Sequence, residues 1–314
     1  MPAGDLLKWF PRPIVFFLKV LKKVRRFDKS FRVYIPDVNN SREVLLWKLK
    51  VINPLLGTDV NFNAVNQSSE PIDICIPAVK KDIESLGVVI KSARQYIHHP
   101  INKIHVICKL SDEISAICRE NDAVMVDEVS VLGYDKSRIN YSFKGEDRAG
   151  WLYQQLLKLN CDTVAETDNF LVLDADTVFV KPKIFRYKGK TIFDMSEERH
   201  EPYHEVYKKL LERPTTSELS FISHHMLFNK TLLKELKAEI EAIHHKKWDE
   251  AILENTDYSS ISGFSEYELY GNFVSERYPQ SVKKEYWFNS TSPVNPPYIK
   301  TVSMHAYLRE NNQA

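Results

Sequence analysis

The sequence predicts an α/β fold: a mixed, mostly parallel sheet flanked by helices, behind a basic amphipathic N-terminal extension. Three observations predict it. From residue 71 onward, short apolar runs alternate with stretches of helical period, the pattern of βαβ units. The 314 residues are 43% hydrophobic and 27% charged, enough for a sizeable core in one large domain or two modest ones. The formal net charge is only +1, which argues against a nucleic-acid partner. That charge is unevenly placed, because residues 1–32 carry nine basic side chains against Asp5 and Asp28. The extension is therefore +7 and the rest of the chain −6, a distribution typical of a surface-binding segment.

In the extension, Pro11 and Pro13 suit a helix start. Ile14, Phe17, Leu18, Leu21 and Val24 then share one face, and Lys19, Lys22, Lys23 and Arg26 the other. Such a helix can lie in the interface of an anionic bilayer, the reading taken here, or dock on the domain by its apolar face. Its apolar run stops at Lys19, far short of a membrane span, and no small-residue cleavage site follows. A helix over "REVLLWKLKVINPLL" is expected to stop before Pro54; residues 1–65 have too little apolar material for a core of their own, and the extension is expected over 1–70. The domain proper is expected over 71–314. Its four cysteines contain no C-x-x-C pair, so zinc spacing is absent and a reducing compartment fits best. The expected location is cytoplasmic, peripheral to the inner face of the cell membrane.

Within the domain, "IDICIPA" (72–78) and "NFLVLDA" read as buried strands, and "KIHVICK" (103–109) and "AVMVDE" (123–128) as the strands between them. Residues 82–98, "DEISAICREN" and 146–161 read as the helices between them. The second half is less regular. "TIFDM" and "LSFISHHMLFN" (219–229) read as strands, and "EVYKKLLER", residues 230–245 and residues 263–277 as helices. "TVSMHAYLRE" closes the chain as a strand or turn.

The chemistry concentrates in "NFLVLDADTVFVKP", residues 169–182. A strand that reads as fully buried ends on Asp174 and Asp176, and burying a carboxylate without a partner costs several kcal/mol. The compensating charge is a divalent metal, a metal-bound phosphate substrate, or a structural Lys or Arg. In open parallel sheets, ligands bind at the carboxyl ends of the strands, where this pair lies. "LVLDADTV" also fits the DxDx[TV] pattern of haloacid-dehalogenase-type phosphatases. However, three strands precede Asp174, and the later aspartates (Asp194, Asp249, Asp257) form no second acidic pair. A non-catalytic, membrane-docked scaffold is the third reading.

The ordered set "IDICIPA", "GWLYQQLLKL", "FLVLDADTVFVKP", "HHMLFNK", "SEYELYGNF" and "SMHAY" resembles the DxD-containing glycosyltransferases of GT-A fold. It looks closest to a bacterial cell-surface-polysaccharide group whose domain is of uncharacterised function. The resemblance implies a Rossmann-like GT-A domain that takes a nucleotide-sugar donor, with UDP as the expected nucleotide, and Mn²⁺ or Mg²⁺. It implies a surface glycan or lipid-linked acceptor. By position, Asp176 would bind the metal directly, Asp174 would face it or the ribose, and His305 would complete the shell. Donor contacts would come from Pro77, Ala78, Lys80, Arg148, Gln155, Lys158, Asp174 and Ala175. Glu266 and Glu268 are the candidate catalytic carboxylates. Two apart on a helix they point roughly 200° from each other, so one is expected in the site and the other exposed. His224 and His225 alternate on a strand, and the inward one is a candidate acceptor contact. Tyr267, Tyr270 and Trp287 are candidates for stacking on sugar rings.

One prediction follows from the charge distribution alone. Deleting residues 1–32 should abolish co-sedimentation with anionic vesicles while leaving the remaining chain folded; unchanged binding would refute the surface role of the extension.

Overall fold

The computed structural model describes residues 36–37, 39–62, 66–291 and 298–304. The expected amphipathic helix and His305 lie outside the described residues. The chain divides into two compact units, Met1–Asp59 and Val60–Ala314. Residues 60–70, grouped with the extension on sequence grounds, thus fall in the second unit.

In the first unit a helix spans Ser41–Trp47, capped by the Asn40 side chain, which accepts from the Glu43 backbone N–H. It does not stop before Pro54. A π-helical turn, Lys48–Ile52, intervenes, and Pro54 sits inside a final α-turn, Asn53–Leu55. The Asn53 N–H reaches back five residues to Lys48 O. This shift of the ladder accommodates a residue that lacks an N–H and normally clashes with the preceding turn.

The second unit is built on a five-stranded sheet. Its strands are β1 (Ile72–Pro77), β2 (Ile101–Cys108), β3 (Val124–Asp127), β4 (Asn169–Leu173) and, further along, His225–Asn229. Across the sheet the order is His225–Asn229, β4, β1, β2, β3. β1 to β4 are mutually parallel and only His225–Asn229 runs antiparallel, against β4. The apolar runs explain this placement: every residue of β1 is buried, as are Phe170 to Leu173 of β4. Helix α1 (Ile83–Tyr96) closes one face with Leu86, Val89, Ile90 and Ala93. The one charge inside β1, Asp73, is met by Asn102 Nδ2 and the Lys103 N–H, each at 2.9 Å, and by the Thr167 and Glu166 N–H groups. Burial alone would raise its carboxyl, but these donors hold it below the usual range. The carboxylate ties together the starts of β1 and β2 and the approach to β4.

Three features position the carboxyl end of β4. The antiparallel register sets His225 opposite Leu173, so the next pair is His224 and Asp174, joined by Asp174 N–H to His224 O at 3.0 Å. After the turn, β5 (Thr177–Phe179) pairs with Thr301–Ser303, and the Met304 N–H donates to Asp176 O at 2.7 Å. From α1, Ser85 Oγ donates to Ala175 O at 2.9 Å. The aspartate turn is therefore held from three sides.

The strand expected over 219–229 forms only from His225. Before it, Ser220 makes an isolated bridge to Ser196, and His224 takes a left-handed φ of 58°, which breaks the strand. Helix α2 (Ala149–Leu159) presents the expected stripe of Leu152, Leu156 and Leu159 to the core. The helix Glu266–Arg277, α3 here, is sunk more deeply than an amphipathic reading allows: every residue from Glu266 to Val274 is buried. Helix Trp248–Asn255, not anticipated from the sequence, packs beside helix Lys230–His244.

Gly271 of α3 offers a test of this packing. A Cβ there would lie 2.4 Å from Phe221 Cγ. Gly271→Ala gains about 1 kcal/mol in helix propensity, but overpacking a core costs about 1–3 kcal/mol, and a clash with an aromatic ring favours the upper end. The variant should be less stable by about 1–2 kcal/mol, read as a lower urea midpoint at unchanged slope.

Candidate active site

The site is built around a buried ammonium. Lys158, near the end of α2, has a side chain only 7% exposed, with Nζ 2.6 Å from Asp174 Oδ1 and 2.8 Å from Glu266 Oε1. Glu266 opens α3 and is fully buried. Its neighbour Tyr267 donates its hydroxyl to Asp174 Oδ1 at 2.9 Å, and the ammonium lies 4.6 Å from the Tyr267 ring centroid. On the other oxygen, Asp174 Oδ2 lies 3.0 Å from His224 Nδ1. Trp287 backs the His224 ring at 5.2 Å between centroids.

The electrostatics follow from two carboxylates sharing one ammonium. Burial works against the Lys158 charge, but Asp174 and Glu266 outweigh it, and the ammonium is held well above its ordinary value. Burial would raise Asp174 too, yet Lys158 and His224 hold it well below the carboxylate range. Glu266 shifts the other way. Burial and the Asp174 charge lift its carboxyl further than Lys158 lowers it. His224 loses by burial and gains more from its bond to Asp174 and the Asp176 charge, so its ring is raised. The Tyr267 hydroxyl is pushed far up by burial and by the neighbouring carboxylates, which keeps it a donor.

Asp174, Asp176 and His224 each offer one ligand atom, and the three atoms lie within 4.8 Å of one another. Two carboxylate oxygens and an imidazole nitrogen fit a small divalent cation such as Mg²⁺ or Mn²⁺, and the nitrogen favours Mn²⁺. Ligation needs the neutral ring, so an ion competes with the proton that His224 shares with Asp174. The group opens into a cavity of about 330 Å³, whose wall includes Pro77, Lys81, Asp82, Trp151, Gln155 and Ala175. A second cavity, about 400 Å³, lies at the ends of β1 and β2 and shares Pro77 and Gln154 with the first. Its floor is apolar, with Ile107, Ile114 and Leu157, and Lys80, Lys109 and Lys136 also line it.

The structure thus gathers Pro77, Gln155, Lys158, Asp174, Ala175, Asp176 and His224 around one cavity, and places Ala78 and Lys80 in the neighbouring one. Arg148 lies elsewhere: its Nε donates to Ile261 O at 2.8 Å and its guanidinium covers Trp151. Of the two glutamates, neither is exposed and neither lines the cavity, contrary to the expectation that one faces solvent. α3 is buried all round, so opposite faces of the helix both meet protein. Glu268 accepts from Ser220 Oγ, the Phe221 N–H at 3.1 Å and Asn272 Nδ2 at 2.8 Å. His225 is the inward histidine and also misses the cavity. Its Nε2 lies 2.7 Å from Asp194 Oδ2, which is paired with Lys183 at 2.8 Å. Tyr270 is a core residue stacked on Phe228.

One residue and two roles escape the sequence reading. Asp82 lines the cavity beside Lys81; His224, read as an acceptor contact, meets the aspartates through the strand register, and Tyr267, read as a stacking ring, donates to Asp174 from α3. The doublet His224–His225 was the available signal, but alternation alone does not say which ring meets the aspartates.

The sequence profile of a family of unknown function, DUF6492, matches residues 69–305. No curated protein matches the chain in sequence. Among solved structures, mouse xyloside xylosyltransferase 1 in its apo form is similar with a TM-score of 0.44 and 13% identity, over 76% of this chain and 98% of that one. The galactosyltransferase LgtC in complex with donor and acceptor sugar analogs gives 0.41 and 14%, over 74% and 86%.

Glu268 generates a pH prediction. Burial outweighs its three donors and lifts the carboxyl from 4.5 to about 7. The folded state then holds the proton more tightly than the unfolded chain, so this group's contribution is complete below pH 4.5 and is lost as pH rises toward 7. The loss amounts to about 3 kcal/mol at most. Urea unfolding of wild type and Glu268→Gln between pH 4.5 and 8 should show the wild type losing stability relative to the variant as pH rises; parallel curves would refute the raised carboxyl.

Proposed function

We propose that this chain, which belongs to DUF6492, a family of unknown function, is a metal-dependent glycosyltransferase. It would move a sugar from a nucleoside-diphosphate donor to a glycan or lipid-linked acceptor. The observation that carries the reading is the Asp174–Asp176–His224 group, its ligand atoms within 4.8 Å of one another, beside the Lys158 ammonium and at the carboxyl end of a parallel strand. A bound Mn²⁺ or Mg²⁺ supplies the charge that holds a diphosphate and stabilises it as it departs.

The chain's own residues do the rest. Asp176 and His224 would hold the ion, and Asp174, oriented by Lys158 and Tyr267, completes the set. Lys158 lines the cavity and adds a fixed positive charge close to where the leaving diphosphate gains negative charge, in a site that needs no reorganisation to offer it. The cavity at the ends of β1 and β2 gives the nucleoside an apolar floor, and the walls it shares with the aspartate cavity let one elongated donor occupy both. Neither Glu266 nor Glu268 reaches the cavity, which favours the departing phosphate or Asp82 as acceptor of the incoming hydroxyl's proton. UDP is the proposed nucleotide.

The phosphatase alternative needs Asp174 as a nucleophile. Both its oxygens already accept, Oδ1 from Lys158 and Tyr267 and Oδ2 facing His224. That arrangement holds the carboxylate still and engages the lone pairs a nucleophile would need, which favours the transferase. The extension is proposed to keep the enzyme at an anionic membrane surface near its acceptors. Among the described residues, no helix is long and apolar enough to cross a membrane.

The test is a thermal-shift panel of UDP, GDP, CDP and ADP, each with and without Mn²⁺. A ligand at 100 times its dissociation constant stabilises by about 2.7 kcal/mol, so one nucleotide should raise the melting temperature in a metal-dependent way. Asp176→Asn should remove that shift and lower turnover by at least about 100-fold with the fold intact. A panel with no shift from any nucleotide would overturn the reading.

A further inference from the structure

Glu266 is the residue this function leaves unexplained. It is fully buried and stands behind Lys158, away from the cavity wall. Lys158 is already paired with Asp174 at 2.6 Å, so a second carboxylate is not needed to bury the ammonium. It adds a negative charge in a place where charge is expensive to bury. With the three carboxylates ionised and His224 neutral, as ligation requires, Asp174, Asp176 and Glu266 against Lys158 leave two negative charges in the cluster. Lys81 and Asp82 on the same wall cancel. The deficit equals the charge of one divalent cation.

Resting on the transferase reading above, we infer that Glu266 is a positioning residue for the metal site. It draws the Lys158 ammonium toward α3, so that Asp174 retains the negative charge with which it and Asp176 hold the ion. The geometry fits this division of labour. The ammonium lies between the two carboxylates, 2.6 Å from Asp174 Oδ1 and 2.8 Å from Glu266 Oε1. Lys158 and Tyr267 share Asp174 Oδ1 from the helix side, leaving Oδ2 turned toward His224. Without the Glu266 charge the ammonium would belong to Asp174 alone and compete directly with the ion.

The experiment is a Mn²⁺ titration followed by electron paramagnetic resonance on the full chain, without substrate. It compares wild type, Glu266→Gln and the double variant Lys158→Met/Glu266→Gln, each checked by thermal unfolding. The single variant keeps shape and loses charge, and should weaken Mn²⁺ binding about tenfold. The double variant removes the competing ammonium as well and should bind within about threefold of wild type. A merely structural Glu266 would show neither the loss nor the recovery. Wild-type affinity in the single variant, or a double variant no better than the single, overturns the inference alone. A wild type that binds no Mn²⁺ overturns the transferase reading with it. Should Glu266→Gln not fold, Glu266→Leu takes its place: about a tenfold loss of Mn²⁺ affinity is expected, and wild-type affinity overturns the inference.

Discussion

The Lys158 ammonium is the constraint on which the rest of the site depends. Three chain segments meet at it: α2 supplies the cation, the turn after β4 supplies Asp174, and the first turn of α3, distant in sequence, supplies Glu266. Removing one partner from a buried ionic cluster leaves the others uncompensated, so the segments are energetically bound to one another. This explains why α3 begins where it does. Ser265 caps the helix by accepting from the Glu268 N–H, and the cap sets Glu266 and Tyr267 in the first turn, facing Lys158 and Asp174.

The same physics recurs twice in the domain with a different outcome. Asp73 is closed off by side-chain and backbone donors at the starts of β1 and β2, and Asp194 by Lys183 and His225. Both clusters are buried staples: burial opposes each carboxylate's charge, and its partners prevail. The Asp174 cluster has equally good partners but borders a cavity and carries an excess of carboxylates. Position relative to open space, rather than the presence of ion pairs, separates the candidate site from the structural clusters.

Much of the framework was legible because it rests on local periodicity. The parallel strands β1 to β4 and the helices between them appear where apolar alternation and helical period placed them, and the aspartates do end a buried strand. What stayed hidden depends on tertiary geometry. Pro54 failed to end its helix because a π-turn absorbed it. The strand expected from residue 219 was cut short by the left-handed turn at His224. Glu266 and Glu268 do point apart, as their spacing requires. The error lay in assuming a solvent face on a helix that protein surrounds. His305, expected to complete the metal shell, lies outside the described residues; among the described residues, His224 offers a nitrogen beside the aspartates.

The doublet His224–His225 shows how a single backbone torsion partitions two adjacent identical side chains between structure and chemistry. His225 is the first residue of its strand and points into the core, where Phe179 and Phe185 pack on it and Asp194 holds its Nε2. Burial depresses its basicity, so it behaves as a neutral, packed ring. His224, one residue earlier, has a φ of 58°. This conformation is uncommon for a residue with a side chain and costs of order 1 kcal/mol or more. Its ring meets Asp174, whose carboxylate raises its basicity instead. The antiparallel partner β4 fixes which backbone position faces Asp174, and the turn brings an imidazole to it. A strained torsion at this point, bonded through its carbonyl to the Asp174 N–H and backed by Trp287, is a cost the fold offsets elsewhere in order to bring a nitrogen donor to two carboxylates.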